Sequence, residues 1–119
     1  MKGEQVKGAG IVSESIVTFE DAVDWALSVM RDVMIRKQRD YGSGNISAFG
    51  EFGVLVRASD KVHRLKNLLE KAEKGQVPQN EPLFDSWLDL ANYGLIGMLL
   101  QSGLWGLPME EELSCETGS

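Results

Sequence analysis

The sequence predicts an all-α protein, a helical bundle of three main helices with short extensions. In three long segments, apolar residues recur at i, i+3 and i+4, the spacing that places them on one face of a helix. The alternation of β-branched residues that is typical of strands is scarce. With 119 residues the chain has the length of one domain, so residues 1–119 are expected to form a single domain.

The first helix is expected over residues 18–39. Thr18 is followed three residues later by Asp21, a variant of the capping box that begins helices. One apolar face is formed by Ala22, Val23, Ala26, Leu27, Met30, Val33 and Met34. The two glycines of "DYGSGN", residues 40–45, then end the helix. We favour an ordinary turn there, and the alternative is a loop that contacts a ligand through Tyr41.

The second helix is expected over residues 50–74, and Gly75 suits its C-terminal cap. One apolar arc is formed by Val54, Leu55, Ala58, Val62, Leu65, Leu69 and Ala72. The opposite side carries three cations with helical spacing, Arg57, Lys61 and Arg64. This helix is therefore expected to be amphipathic, with a cationic side.

The third helix is expected over residues 82–102, with Pro82 in its first turn. Apolar residues cover almost its whole circumference, which predicts a helix that is buried on nearly all sides. The ends of the chain are polar. Residues 1–17 are expected to form a mobile N-terminal segment, and residues 109–119, "MEEELSCETGS", an acidic flexible tail.

Composition excludes several classes of protein. The formal net charge of -6 argues against non-specific binding of nucleic acid, which depends on neutralising phosphates with Lys and Arg. A single cysteine, Cys115, excludes an internal disulfide scaffold. The start "MKGEQVKGAG" lacks the apolar core of a signal peptide, and no apolar run has the length of a membrane span. The expectation is a cytoplasmic protein without membrane contact.

A narrow polar stripe interrupts the third helix within "DSWLDLANYG". At 100° per residue, Asp85, Asp89 and Asn92 fall within roughly 60° of one another. A carboxylate among apolar residues needs a cation, hydrogen bonds or a proton. One interpretation is an internal salt-bridge network with Arg57, Lys61 and Arg64, and the other is a Mg²⁺ site. The residues alone leave both interpretations open.

The same pattern predicts an oligomer. By helical angle, Arg57, Asp60 and Arg64 project away from the apolar arc of the second helix, so they are expected to meet the acidic stripe only when a second subunit covers that helix. The excess of apolar surface on the third helix, with Trp87 and Trp105 nearby, favours a homodimer or homotetramer as well.

Three strings resemble a family that is common in bacteriophages. They are "DYG" at 40–42, "FGEFGVLVRASDKVHRLKNL" at 49–68 and "FDSWLDLANYGLIGML" at 84–99. Together they resemble the nucleotide modification associated domain 1 family over roughly residues 37–100. The resemblance implies a nucleotide-binding protein of phage nucleotide metabolism or DNA modification.

The last string is also similar to the second metal motif of MazG-like all-α nucleoside triphosphate pyrophosphohydrolases. Asp89 and Tyr93 match the Asp and Tyr of that motif, while Ser86 stands where the group carries Glu. The first motif of the group, E-x-x-E, is replaced by Arg57-x-x-Asp60. The resemblance implies Mg²⁺-dependent hydrolysis, and a non-enzymatic accessory that binds a nucleotide or a protein, or a structural oligomer, is the alternative.

These observations give one set of candidate residues. If Mg²⁺ binds, its ligands are expected to be Glu51, Asp60, Asp85 and Asp89, of which the three aspartates are also the candidate catalytic residues. The nucleotide is expected to contact Arg57, Lys61, Arg64, Asn92 and Tyr41, with the cations on its phosphates.

Overall fold

The computed structural model describes residues 15–76 and 82–117, and these form four helices and no strand. The helices are α1 (Phe19–Tyr41), α2 (Gly44–Glu73), α3 (Pro82–Gln101) and α4 (Glu110–Thr117). The all-α prediction is confirmed. Most of the N-terminal segment that was expected to be mobile, residues 1–14, lies outside the described residues.

The start of α1 follows from its first residues. The backbone N–H of Asp21 donates to Thr18 Oγ1 at 3.0 Å, and the N–H of Thr18 donates to Asp21 Oδ2 at 3.1 Å. This is the predicted capping box, in which two N–H groups that lack helical partners are bonded reciprocally. The helix ends at Gly42, whose φ of 73° is a conformation that glycine adopts without strain.

Helix α2 consists of two helical segments that meet at Gly50, where φ is 64° and ψ is −155°. Its regular part therefore begins at Glu51, close to the predicted start. At its end, the N–H of Gly75 donates to the Ala72 carbonyl at 3.0 Å, and that of Gln76 to the Lys71 carbonyl at 2.9 Å. These two bonds form the Schellman motif that the predicted glycine cap requires.

Helices α2 and α3 pack closely as an antiparallel pair. Side-chain contacts join Glu51 to Gln101, Lys61 to Asp89 and Arg64 to Ser86, so positions late on one helix meet positions early on the other. Helix α1 packs on α3 from a different side, where the rings of Trp25 and Phe84 lie 6.2 Å apart. The buried apolar side chains among the described residues are Val54, Leu65 and Ile96.

Two expectations differ from the structure. Helix α3 is not covered on nearly all sides, because α1 and α2 leave one side open, on which Trp87 and Met98 are exposed. Where a flexible tail was expected, α4 forms instead. Its first turn contains Glu110, Glu111 and Glu112, and carboxylates there interact favourably with the helix dipole. None of the helices in the described ranges has the length and apolar character needed to cross a bilayer.

Candidate functional site

Asp89 of the polar stripe is held by two lysines from different helices. Its Oδ2 lies 2.9 Å from Lys61 Nζ on α2, and its Oδ1 lies 3.5 Å from Lys37 Nζ on α1. The internal salt-bridge interpretation is therefore correct for this carboxylate. Lys61 reaches Asp89 within one chain. The second subunit was expected only for the approach of Arg57, Asp60 and Arg64 to the stripe.

The two arginines of the cationic row contact neutral oxygens. Arg64 Nε donates to Ser86 Oγ at 3.2 Å, and the serine is only 2% exposed. Arg57 Nη2 donates to Asn45 Oδ1 at 3.2 Å. Neither guanidinium forms an ion pair with a carboxylate of residues 15–76 or 82–117. The predicted Arg–Asp network is therefore not formed in the single chain, and each guanidinium keeps an uncompensated positive charge.

Asn92 is the most unusual polar residue of the stripe. It is 7% exposed, and its Nδ2 donates to the Met30 carbonyl of α1 at 3.4 Å. Its Oδ1 is buried and has no hydrogen-bond partner among the described residues. Because a buried carbonyl oxygen loses its bonds to water, this acceptor calls for a donor from outside the described protein atoms.

A cavity of about 200 Å³ lies where α1, the start of α2 and α3 meet. Its polar walls are Lys37, Asn45, Arg57, Asp89 and Asn92, and its aromatic walls are Tyr41, Tyr93 and Trp105. Helical geometry explains the convergence, because Asp89 and Asn92 are three residues apart and share one side of α3. The cavity therefore combines the polar stripe with one arginine of the cationic row.

The loop after α1 forms one edge of this cavity. Trp105 Nε1 donates to the Ser43 carbonyl at 3.1 Å, which fixes the segment after α3 against the "DYGSGN" loop. Tyr41 at the end of α1, Gly42 between the two helices and Asn45 in the first turn of α2 all line the cavity, and Tyr41 is largely exposed. The loop is thus both an interhelical turn and a wall of the cavity.

The candidate metal ligands are spread over the molecule. Asp60 and Asp85 are exposed and form no ion pair within residues 15–76 and 82–117, while Glu51 accepts a hydrogen bond from Gln101 Nε2 at 3.0 Å and lines a separate apolar groove. Over the described ranges, no three His, Cys, Asp or Glu side chains converge as metal ligands would. Since two ammonium groups also flank Asp89, this donor set does not fit Mg²⁺ within one chain.

Five residues were expected to contact the nucleotide. Arg57, Asn92 and Tyr41 come together in the cavity, Lys61 holds Asp89 at its edge, and Arg64 is turned towards Ser86. The sequence interpretation missed Asn45 and Trp105. A sequence feature could have identified Asn45, since it is an amide directly after the two glycines of "DYGSGN". Trp105 had no such feature, because it reaches the cavity only through the packing of the chain after α3.

Comparisons of the chain with protein-family models, curated proteins and solved structures found no match. The fold and the site define the class: an α-helical protein with a cavity between its helices that combines apolar walls with two cationic side chains. The similarity to the nucleotide modification associated domain 1 family stays a prediction from the quoted strings.

Proposed function

We propose that the chain binds a nucleotide in the cavity between α1, α2 and α3. The observation that carries the proposal is the buried Asn92 Oδ1, which has no hydrogen-bond partner among the described residues and belongs to a side chain that lines a cavity together with two cationic side chains. Leaving such an acceptor unsatisfied costs about 1–3 kcal/mol. An N–H of a base or an O–H of a sugar would supply the missing donor.

The charges of the cavity favour an anionic ligand. Lys37 and Arg57 line it, and its one carboxylate, Asp89, is already neutralised by Lys61. The cavity is therefore positive in a chain whose net charge is -6. A guanidinium without a carboxylate partner matches the geometry of phosphate oxygens, so Arg57 is the residue assigned to the phosphate.

The aromatic walls support a planar group in the same ligand. Tyr41, Tyr93 and Trp105 provide ring surfaces, and a cavity of about 150 Å³ is enough for benzene. With about 200 Å³ available, one aromatic ring of a base fits inside while the phosphate remains near the opening. A nucleotide combines a planar base for the aromatic walls, a hydrogen-bond donor for Asn92 and a phosphate for the cationic side chains.

Binding without hydrolysis is the form of the proposal that the carboxylates favour. Hydrolysis of a nucleoside triphosphate would use Mg²⁺ held by several carboxylates, and Asp89 is the carboxylate that lines the cavity. The setting in phage nucleotide metabolism or DNA modification is proposed on the sequence resemblance alone. We propose separately that the chain forms a homo-oligomer, which is supported by the many apolar side chains that one chain leaves exposed.

A thermal-shift panel tests the proposal with nucleosides, nucleoside mono- and triphosphates and inorganic phosphate, each with and without Mg²⁺. A ligand that binds the folded state raises the melting temperature. We expect nucleotides to give a larger rise than nucleosides or phosphate alone, because only nucleotides engage Asn92 and Arg57 together. Release of pyrophosphate from any hit would show hydrolysis.

Arg57→Gln supplies the matched variant, with Arg36→Gln as its control. Both changes remove one guanidinium, but Arg36 is exposed on α1 and does not line the cavity. We expect Arg57→Gln to weaken nucleotide binding about tenfold or more and Arg36→Gln to leave it unchanged. No rise with any nucleotide, or equal losses in the two variants, would reject nucleotide binding at this cavity and favour a purely structural role.

A further inference from the structure

Helices α2 and α3 carry a second surface on the side away from the nucleotide cavity. Large apolar side chains are exposed on it, and small residues lie between them. The α2–α3 apolar face consists of Phe52, Leu55, Val62, Leu69, Trp87, Ala91, Gly94 and Met98. By helical angle, Trp87 and Met98 lie within about 20° of each other and on the opposite side of α3 from Asp89.

The α2 part of the face has the spacing of a helix–helix seam. Leu55, Val62 and Leu69 are separated by seven residues, and Ala58, Leu65 and Ala72 form a second column three residues further on. The two columns together repeat at alternating steps of three and four, as in coiled coils. In the chain, Leu65 is buried while Leu55, Val62 and Leu69 are exposed, so one column of the seam lacks a partner.

The face contains both a projection and a groove. A groove of about 450 Å³ runs between the two helices and is lined by Val54, Leu55, Ala58, Leu90, Gly94 and Gly97 among others. Phe52 stands at its edge with 82% of its surface exposed. A surface that carries a projecting ring beside a groove is self-complementary under a two-fold axis, because each copy inserts its ring into the groove of the other.

We propose that this face is the interface at which two copies of the chain form a two-fold symmetric homodimer. The interface goes beyond nucleotide binding and does not depend on it. Two observations indicate that a second copy covers this face. The first is the apolar area and low charge of the face, and the second is the small core of a single chain.

The area of the face matches one side of a stable dimer. Its six large side chains expose roughly 500 Å², at about 200 Å² for each fully exposed aromatic and about 100 Å² for each aliphatic one. One partner in a standard interface contributes about 800 Å², of which about 57–65% is apolar. Glu51 is the one charged residue in the groove, and Gln101 binds it. Among the residues that line the groove, no second charge therefore has to be desolvated when a partner covers it.

The core of one chain gives the second reason. In residues 15–76 and 82–117, only Val54, Leu65 and Ile96 are buried apolar side chains, and α1 buries none. A chain with so few buried side chains gains much of its hydrophobic stabilisation only when its open face is covered. The molecule that covers the face must then be present whenever the chain folds. A second copy of the same chain meets this condition, because it is made together with the first.

Light scattering on the full chain without nucleotide tests the proposal. We expect the mass of two chains at micromolar concentration and a melting temperature that rises with protein concentration. Leu55→Glu places a charge in the seam, and we expect it to yield the mass of one chain. Leu107→Glu is the control, since Leu107 is as exposed as Leu55 (63% and 62%) but lies outside the face.

Each outcome decides the proposal. A folded wild-type chain with the mass of one copy, or a Leu55→Glu variant with the wild-type mass, would overturn it. If Leu55→Glu fails to fold, the wild-type melting temperature decides: a rise with concentration supports the dimer, and a constant value overturns it. A monomer that binds nucleotide would reject this interface while leaving the proposed function intact.

Discussion

On one side of the α2–α3 pair, apolar, polar and cationic side chains enclose a cavity with α1, while the opposite side carries exposed apolar side chains. The two sides use the same helices at angles about half a turn apart. On the cavity side, Lys61 and Arg57 face Asp89 and Asn45. On the other side, Leu55, Val62 and Leu69 are exposed. The difference indicates that ligand binding and assembly are separate properties of one helical pair.

This separation explains the composition of α3. A helix with Asp89 and Asn92 on one side and Trp87 and Met98 on the other is apolar nearly all round by sequence. In one chain, however, it is buried only towards α1 and α2. Its remaining apolar side is accounted for once a second copy covers it.

The largest expected effect compares the two leucine columns of α2. Leu65→Ala removes a side chain that is 4% exposed, and we expect it to lower the free energy of unfolding by about 2–5 kcal/mol. Leu69→Ala changes an exposed residue of the apolar face. We expect this change to lower the free energy of unfolding by about 1 kcal/mol or more, because the second copy of the proposed dimer buries the Leu69 side chain. Denaturant unfolding measures both, and a Leu69→Ala value below about 0.5 kcal/mol would indicate an uncovered surface.

The smallest expected effect concerns α1, which forms a wall of the cavity but no part of the apolar face. Hydrogen bonds from the backbone N–H groups of Thr18 and Val17 lower the pKa of Asp21 from its ordinary value of 3.8. A carboxyl with a lowered pKa stabilises the fold above the unfolded pKa, and this contribution is lost as the pH falls through the folded pKa.

Asp21→Asn tests this point. We expect the wild-type melting temperature to fall more steeply than that of Asp21→Asn as the pH is lowered below about 4. The mass by light scattering at neutral pH should stay that of two chains, because the apolar face does not include α1. Parallel melting curves against pH would show that the ionisation of Asp21 does not contribute to stability, and a change in mass would show that α1 takes part in assembly.

Local patterns in the sequence were enough to predict α1, α3 and the regular part of α2, but not α4. The Thr18–Asp21 capping box, the Gly75 cap and the limits of α1 and α3 depend on residues within a few positions of each other, so spacing alone identifies them. The pairing of Lys61 with Asp89 could also be predicted. Lys61 belongs to a row of cations on the second helix, and Asp89 belongs to a polar stripe on the third.

The rest of the site depends on how the helices pack. Lys37 contacts Asp89, which lies 52 residues away in the sequence. Trp105 contacts Ser43, which lies 62 residues away. No local sequence pattern predicts contacts between positions so far apart. The isolation of Asn92 Oδ1 likewise appears only when the neighbouring helices are in place. Packing also separates Glu51 from Asp89, although both were expected to bind one Mg²⁺, because they face different sides of the α2–α3 pair.

The central claim is that the buried oxygen of Asn92 accepts a hydrogen bond from a bound nucleotide. Calorimetric titration of the wild type and Asn92→Leu with the best nucleotide of the panel tests it most directly. Leucine has a similar size and no acceptor, so we expect the free energy of unfolding to be unchanged or raised. We also expect the dissociation constant to rise about tenfold or more, which corresponds to about 1.4 kcal/mol. Equal affinity of the two proteins would contradict the account.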